Sequence, residues 1–258
     1  MKKSVMLVLC ILTGMLLVAS MAFASAGGSG IKTTPHDLSA AGAGGTAFGD
    51  ATEQTTGQDR ICVYCHAPHN TIKAADAAGI AYIPLWNHAV TVQTYVLYSN
   101  GTELPNDTSH QSQAMVLLAG KNQPGGVSRL CLSCHDGTVS TNAYGFYGAS
   151  SKGAGNKFIV ANTPYIIGGT GDLSNHHPIG FNYSAAQSSD AGLAPVSTAV
   201  FGGKNIQNLL WNNNMECTTC HDVHNTGNDT LATKFLWKND NQSAFCLTCH
   251  LKSGPSHP

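Results

Sequence analysis

Hydrophobic positions are spread very unevenly along the chain. Residues 4–21 are almost wholly apolar, preceded by Lys2 and Lys3 and followed by Ala22-Phe23-Ala24. A short positive head, an apolar core and small residues before a cleavage point together predict a secretory signal peptide over residues 1–24. No later stretch is long or apolar enough to cross a bilayer. The rest of the pattern predicts little regular structure. Residues 91–98 (TVQTYVLY) read as a strand or extended run, and 74–79 and 113–118 as short helical pieces. Residues 40–49 and 148–155 are small-residue loops, and 212–214 (NNN) form a turn. The GGTG run at 168–171 lacks the spacing of a dinucleotide-binding turn. Long glycine- and serine-rich connections of this kind are uncommon in a compact domain built on its own aliphatic core.

Composition sharpens that picture. Hydrophobic residues make up 42% of the chain, but alanine, cysteine and the apolar leader supply much of that fraction. Something other than leucine must hold the remainder together. Charged residues are only 10%, against about 25% in an ordinary soluble domain. The formal net charge of −1 excludes a broad cationic face for nucleic acid. It also argues against a chain kept disordered by charge. The unusual counts are nine cysteines and twelve histidines.

Cys10 lies inside the leader and leaves with it. The other eight cysteines all fall in four CxxCH units: CVYCH at 62–66, CLSCH at 131–135, CTTCH at 217–221 and CLTCH at 246–250. Eight cysteines in an exported chain would ordinarily suggest disulfides, but this spacing uses every one and always adds a histidine. Each unit reads as a covalent c-type haem attachment. Cys62 and Cys65, Cys131 and Cys134, Cys217 and Cys220, and Cys246 and Cys249 would form thioethers to the two vinyl groups of one porphyrin. His66, His135, His221 and His250 would be the proximal iron ligands. Zinc sites also use Cys and His, yet zinc does not require a histidine directly after the second cysteine four times over. The expected cofactors are therefore four covalently bound haems.

Bis-histidine ligation needs four further histidines. An internal repeat suggests which. Residues 30–150 hold an upstream His36, then CVYCHAPHN at 62–70, then CLSCHDG; residues 170–250 hold His177, then CTTCHDVHN at 217–225, then CLTCH. The distal candidates are His36, His69, His177 and His224. His69 follows His66 too closely to reach the far face of its own haem and would have to turn toward a neighbouring one. His88, in PLWNH at 84–88, is a fifth candidate, because Trp86 could pack on porphyrin and aim the imidazole. His176 is held in reserve. Supply thus exceeds demand. Asp136 and Asp222 each follow a proximal histidine; capping or a place beside a haem propionate accounts for them better than catalysis does.

These motifs, with RLCLSCHDGTVS at 129–140 and HHPIGFNYS at 176–184, resemble the multihaem cytochromes c with doubled CXXCH motifs found in metal-reducing bacteria. The chain is similar in particular to secreted tetrahaem cytochromes that polymerise into conductive filaments. The resemblance implies a mostly irregular fold with short α-helices and little β-structure, wrapped as one unit over residues 25–258 around a file of four haems. It implies electron transfer without enzymatic catalysis. The donors are periplasmic or outer-surface cytochromes, and the acceptor is extracellular, such as a metal oxide. It further implies a head-to-tail homopolymer in which one distal ligand, His36, crosses the junction. A monomeric periplasmic shuttle, the electron-delivering subunit of a multihaem reductase, and a haem-stapled surface protein are the alternative expectations.

Overall fold

The computed structural model describes residues 30–32, 34–39, 42, 44, 48, 60–68, 85–98, 124–144, 157–159, 163–224, 226, 229 and 234–251. The leader, the helical pieces expected at 74–79 and 113–118, the loop at 148–155, and His69 lie outside the described residues. Regular structure is sparse, as the unpatterned sequence predicts. In chain order the elements are a 3-10 turn Cys62–Tyr64, strand β1 Val96–Leu97, helix α1 Gly126–His135, a 3-10 turn Gly169–Gly171, strands β2 Asp172–Leu173 and β3 Phe181–Asn182, helices α2 Tyr183–Ser189 and α3 Ile206–Leu209, strand β4 Asn214–Met215, helix α4 Cys217–Cys220, a 3-10 turn Asn241–Ser243 and helix α5 Cys246–Cys249. No described helix is long and apolar enough to cross a membrane.

The extended run at 91–98 contributes only Val96 and Leu97 to a ladder, where they pair in parallel with Asp172 and Leu173. β3 and β4 pair antiparallel, Phe181 with Met215 and Asn182 with Asn214. The asparagine turn ahead of the third motif is a tight reversal. Asn212 and Asn213 both take left-handed φ angles, 49° and 66°, and Trp211 and Asn214 exchange backbone hydrogen bonds of 3.1 and 2.8 Å. Asparagine tolerates that conformation better than most residues, and a two-residue turn with both φ values positive suits the right-handed twist of its flanks. The short helices are capped from within: Asn182 Oδ1 accepts from the Ala185 amide at 2.9 Å, and Asn205 and Asn208 cap one another reciprocally.

Among the described residues, two small apolar clusters replace a single core. Tyr95, Leu132 and Leu173 form one. Tyr183, Ala194, Val200, Ile206, Leu209, Met215 and Phe245 form the other. A joint between α1 and α4 connects them. The buried Ser128 hydroxyl donates to the buried Glu216 carboxylate and accepts from the Cys217 amide at 2.9 Å. Burial pushes the Glu216 carboxyl up to about 7. Gly126, at φ +46°, lies under the Trp211 indole, and a Cβ there would sit 2.7 Å from Nε1. A side chain at 126 would have to displace the Trp211 indole, and the positive φ itself suits glycine.

Candidate haem sites

Each CxxCH unit folds as a single turn. The His66, His221 and His250 amides donate to the carbonyls of Cys62, Cys217 and Cys246 at 2.8, 3.0 and 2.9 Å. The second unit instead closes the ten-residue helix α1. One helical turn sets residues i, i+3 and i+4 on a common face, so both sulfurs and the imidazole face one way. That is the arrangement a covalent porphyrin with one axial histidine requires.

A second chain segment then clamps each histidine. His66 pairs with Trp86, His221 with Leu236 and His250 with Leu193 as isolated antiparallel bridges. The second unit receives the Ile167 amide on the His135 carbonyl at 2.8 Å. Three clamps also fix the ring. His66 Nδ1 lies 3.4 Å from the Leu85 carbonyl, His135 Nδ1 2.7 Å from Tyr165 and His221 Nδ1 2.8 Å from Lys234. A carbonyl only accepts, so Nδ1 carries the proton and the Nε2 lone pair is left for a metal. Two of the accepting residues are left-handed, Leu85 at φ 67° and Lys234 at φ 56°, as is Phe235 at 61°. Such conformations cost a non-glycine residue roughly 1–2 kcal/mol each, and here they aim a carbonyl at a histidine. Sequence reasoning missed this clamp. Leu85-Trp86-Asn87 and Phe235-Leu236-Trp237 take equivalent places in the first and third clamps, so the Leu-Trp pair found in both segments is offset by one residue and does not mark it.

The histidines that could serve the opposite faces come together in three pairs. Ring centres of His36 and His135 are 5.9 Å apart, those of His66 and His224 6.1 Å, and those of His177 and His250 6.2 Å. Two imidazoles bound through Nε2 to opposite faces of one iron, with metal–nitrogen bonds of about 2 Å, have centres roughly 6 Å apart. The spacing therefore fits a six-coordinate haem iron. His224, three residues after proximal His221, faces the first motif in the other half of the chain. Asp222 orients it, accepting from the His224 amide at 3.0 Å with its carboxylate 3.7 Å from Nδ1. Among the described residues no second histidine ring faces His221 in this manner. His88 is buried, donates Nδ1–H to the Ala89 carbonyl at 2.7 Å and holds Nε2 3.7 Å from the Cys134 sulfur. Trp86 Nε1 donates to the His88 carbonyl at 2.9 Å, so it holds that residue's backbone. His176 donates its amide to Leu173 at 3.1 Å and lies beside the Asp172 carboxylate.

The electrostatics favour neutral ligands. Burial, with His135 and His221 nearby, lowers His36 to about 4. Burial is also the main cause lowering His66, His88, His221 and His250. Neutral imidazole is the coordinating form. Burial pushes the Cys65 thiol up to about 11 and Cys220 to about 12, and raises Cys134 further. Among the described residues no three His, Cys, Asp or Glu side chains converge to hold a metal ion on their own. Neighbouring motifs also sense one another in chain order. Cys65 contributes to raising Cys134, Cys217 contributes to raising Cys131, and Cys249 contributes to raising Cys220.

Asp136 has a structural task. Its buried carboxylate accepts from the Tyr95 hydroxyl at 2.6 Å, Thr91 Oγ1 at 2.7 Å, and the Thr138 amide and hydroxyl at 2.8 and 2.7 Å. It fastens residues 91–95 to the end of α1. Asp136→Ala strands several buried donors and is expected to cost about 3 kcal/mol in denaturant unfolding of the haem-loaded protein, while haem content stays unchanged.

The comparisons agree with this chemistry. No curated protein matches the chain. Residues 212–254 match the family model described as the doubled CXXCH motif. The matched stretch contains the third and fourth CxxCH units, 217–221 and 246–250, so this part of the chain is similar to proteins that carry a doubled c-type haem attachment motif.

Proposed function

We propose that the chain carries electrons over four covalently attached c-type haems arranged in the order of their motifs, with both iron faces closed by histidine. The observation that carries this reading is the set of three histidine pairs at 5.9, 6.1 and 6.2 Å. When bound, the haem irons supply one-electron exchange between ferric and ferrous states. The chain's own tasks are to tether, orient and shield. Cys62, Cys65, Cys131, Cys134, Cys217, Cys220, Cys246 and Cys249 fix each porphyrin edge. His66, His135, His221 and His250 hold one face; His224, His36 and His177 take the opposite face for His66, His135 and His250. His69, His88 or His176, or a histidine of a second copy, completes His221. No side chain needs to move a proton.

Export by the leader over residues 1–24 places this work in the periplasm or outside the cell. Donor cytochromes feed the file and an extracellular acceptor such as a metal oxide drains it. Charged side chains make up only 10% of the chain, which limits side-chain repulsion between copies, in keeping with a head-to-tail polymer. In that polymer the shared ligand belongs at His221. His36, expected at the junction from the family resemblance, has its ring 5.9 Å from His135 of its own chain and is assigned there instead.

The haem-loaded, assembled protein is expected to contain four haems by pyridine haemochrome assay. All should be low-spin in both oxidation states and unmoved by carbon monoxide. A high-spin fraction that binds carbon monoxide or nitrite would overturn the reading in favour of a reductase. Persistent monomers in cryo-electron microscopy, with all four irons bis-histidine, would remove the polymer.

A further inference from the structure

We propose that Phe235 is a positioning residue that sets the ring plane of His36, so that one residue ties the His36–His135 site to the neighbouring His221 motif. The proposal rests on the reading of His36 and His135 as one ligand pair. An imidazole bound to a metal through one nitrogen can still rotate about that bond, so something else must fix its plane. For His135 and His221 a carbonyl does so through Nδ1–H. The same holds for His177, through the Pro178 carbonyl at 2.9 Å. No described carbonyl takes Nδ1–H of His36. Its ring is instead stacked on Phe235, with centres 4.8 Å apart and planes 21° from parallel. The imidazole planes of His36 and His135 then stand at 56°.

The phenyl ring is held rigidly because its backbone belongs to the His221 clamp. Phe235 sits at φ 61° beside Lys234 at 56°. The Phe235 carbonyl accepts from the Asp222 amide at 2.7 Å, and the Trp237 amide donates to Cys220 at 3.0 Å. Lys234 accepts from His221 Nδ1 at 2.8 Å. Trp237 Nε1 anchors the far end on the Thr218 carbonyl at 2.9 Å. The segment that orients His221 thereby presents a flat apolar face to His36. Neither role of the residue is visible in its sequence neighbourhood, because His36 lies in the opposite half of the chain.

The angle between two axial imidazole planes sets the splitting of the ferric d orbitals, so electron paramagnetic resonance of the oxidised, haem-loaded protein reads it directly. Phe235→Leu keeps apolar volume but loses the flat face. Phe235→Gly removes the ring and suits the left-handed backbone. Both are expected to shift one low-spin signal, the signal that His36→Met removes, and to leave the others in place; Phe235→Tyr should keep it at its wild-type position. Leu and Gly variants whose spectra superimpose on wild type at full haem content would overturn the proposal. So would loss of haem from the third motif in both, detected by mass, because that would make Phe235 part of the attachment turn. If His36→Met leaves every signal unchanged, the ligand pair itself is wrong.

Discussion

Replacing both Cys131 and Cys134 with alanine is expected to leave a chain with three haems instead of four, and to do more damage than the same change at Cys246 and Cys249. The reason lies in where the second motif sits. It ends α1, the longest described helix. Ser128, one turn before Cys131, makes the joint to Glu216 and the Cys217 amide. A haem is a large apolar body held by two covalent bonds, and one attached here would stand in for aliphatic side chains that this region lacks. The cluster nearest the motif holds only Tyr95, Leu132 and Leu173 as buried members. A buried side chain of that size is worth roughly 1.5–3 kcal/mol, far less than ordering the surrounding chain costs. The fourth motif rests instead on the larger cluster that contains Phe245. Intact mass counts the haems directly. Thermal unfolding should lose cooperativity in the Cys131/Cys134 variant and keep it in the Cys246/Cys249 variant. Equal stability of the two would contradict this account.

Opening one ligand position should have the next largest effect. His224→Ala is expected to make one iron high-spin and reactive toward carbon monoxide, while all four haems stay attached. The iron affected should be the one carried by His66, whose ring is 6.1 Å away, and not the one carried by His221 only three residues upstream. His36→Ala and His177→Ala should each open one further iron, so that the triple variant opens three. Asp222→Ala should give a partial version of the His224 effect, since Asp222 holds the His224 amide and flanks Nδ1. Carbon monoxide titration of the reduced protein measures the reactive fraction. A triple variant that opens only one iron would show that the ring pairs do not bind iron.

Much of the site was legible from spacing alone. A CxxCH unit is a local device: its sulfurs and imidazole share one helical turn, so the chemistry is set by five consecutive residues. The scarcity of regular structure was legible too, from glycine-rich connections and an absence of sustained apolar periodicity. Even the turn at Asn212 and Asn213 followed from residue type. Residues 91–98 were read as a strand or extended run, and only Val96 and Leu97 found a partner, because pairing depends on Asp172 and Leu173 arriving alongside.

What the sequence offered by itself, then, is four CxxCH units, the histidine that closes each, and a surplus of further histidines. Tertiary structure decided which histidine faces which. His224 turns to His66 and His36 to His135 across more than a hundred and fifty and nearly a hundred residues respectively. The left-handed carbonyls of Leu85 and Lys234 reach imidazoles 19 and 13 residues away. The physical reason is that an axial ligand is defined by a position in space on the far side of an iron. Any histidine of the chain is chemically competent for it, and only the folded path of the chain selects one.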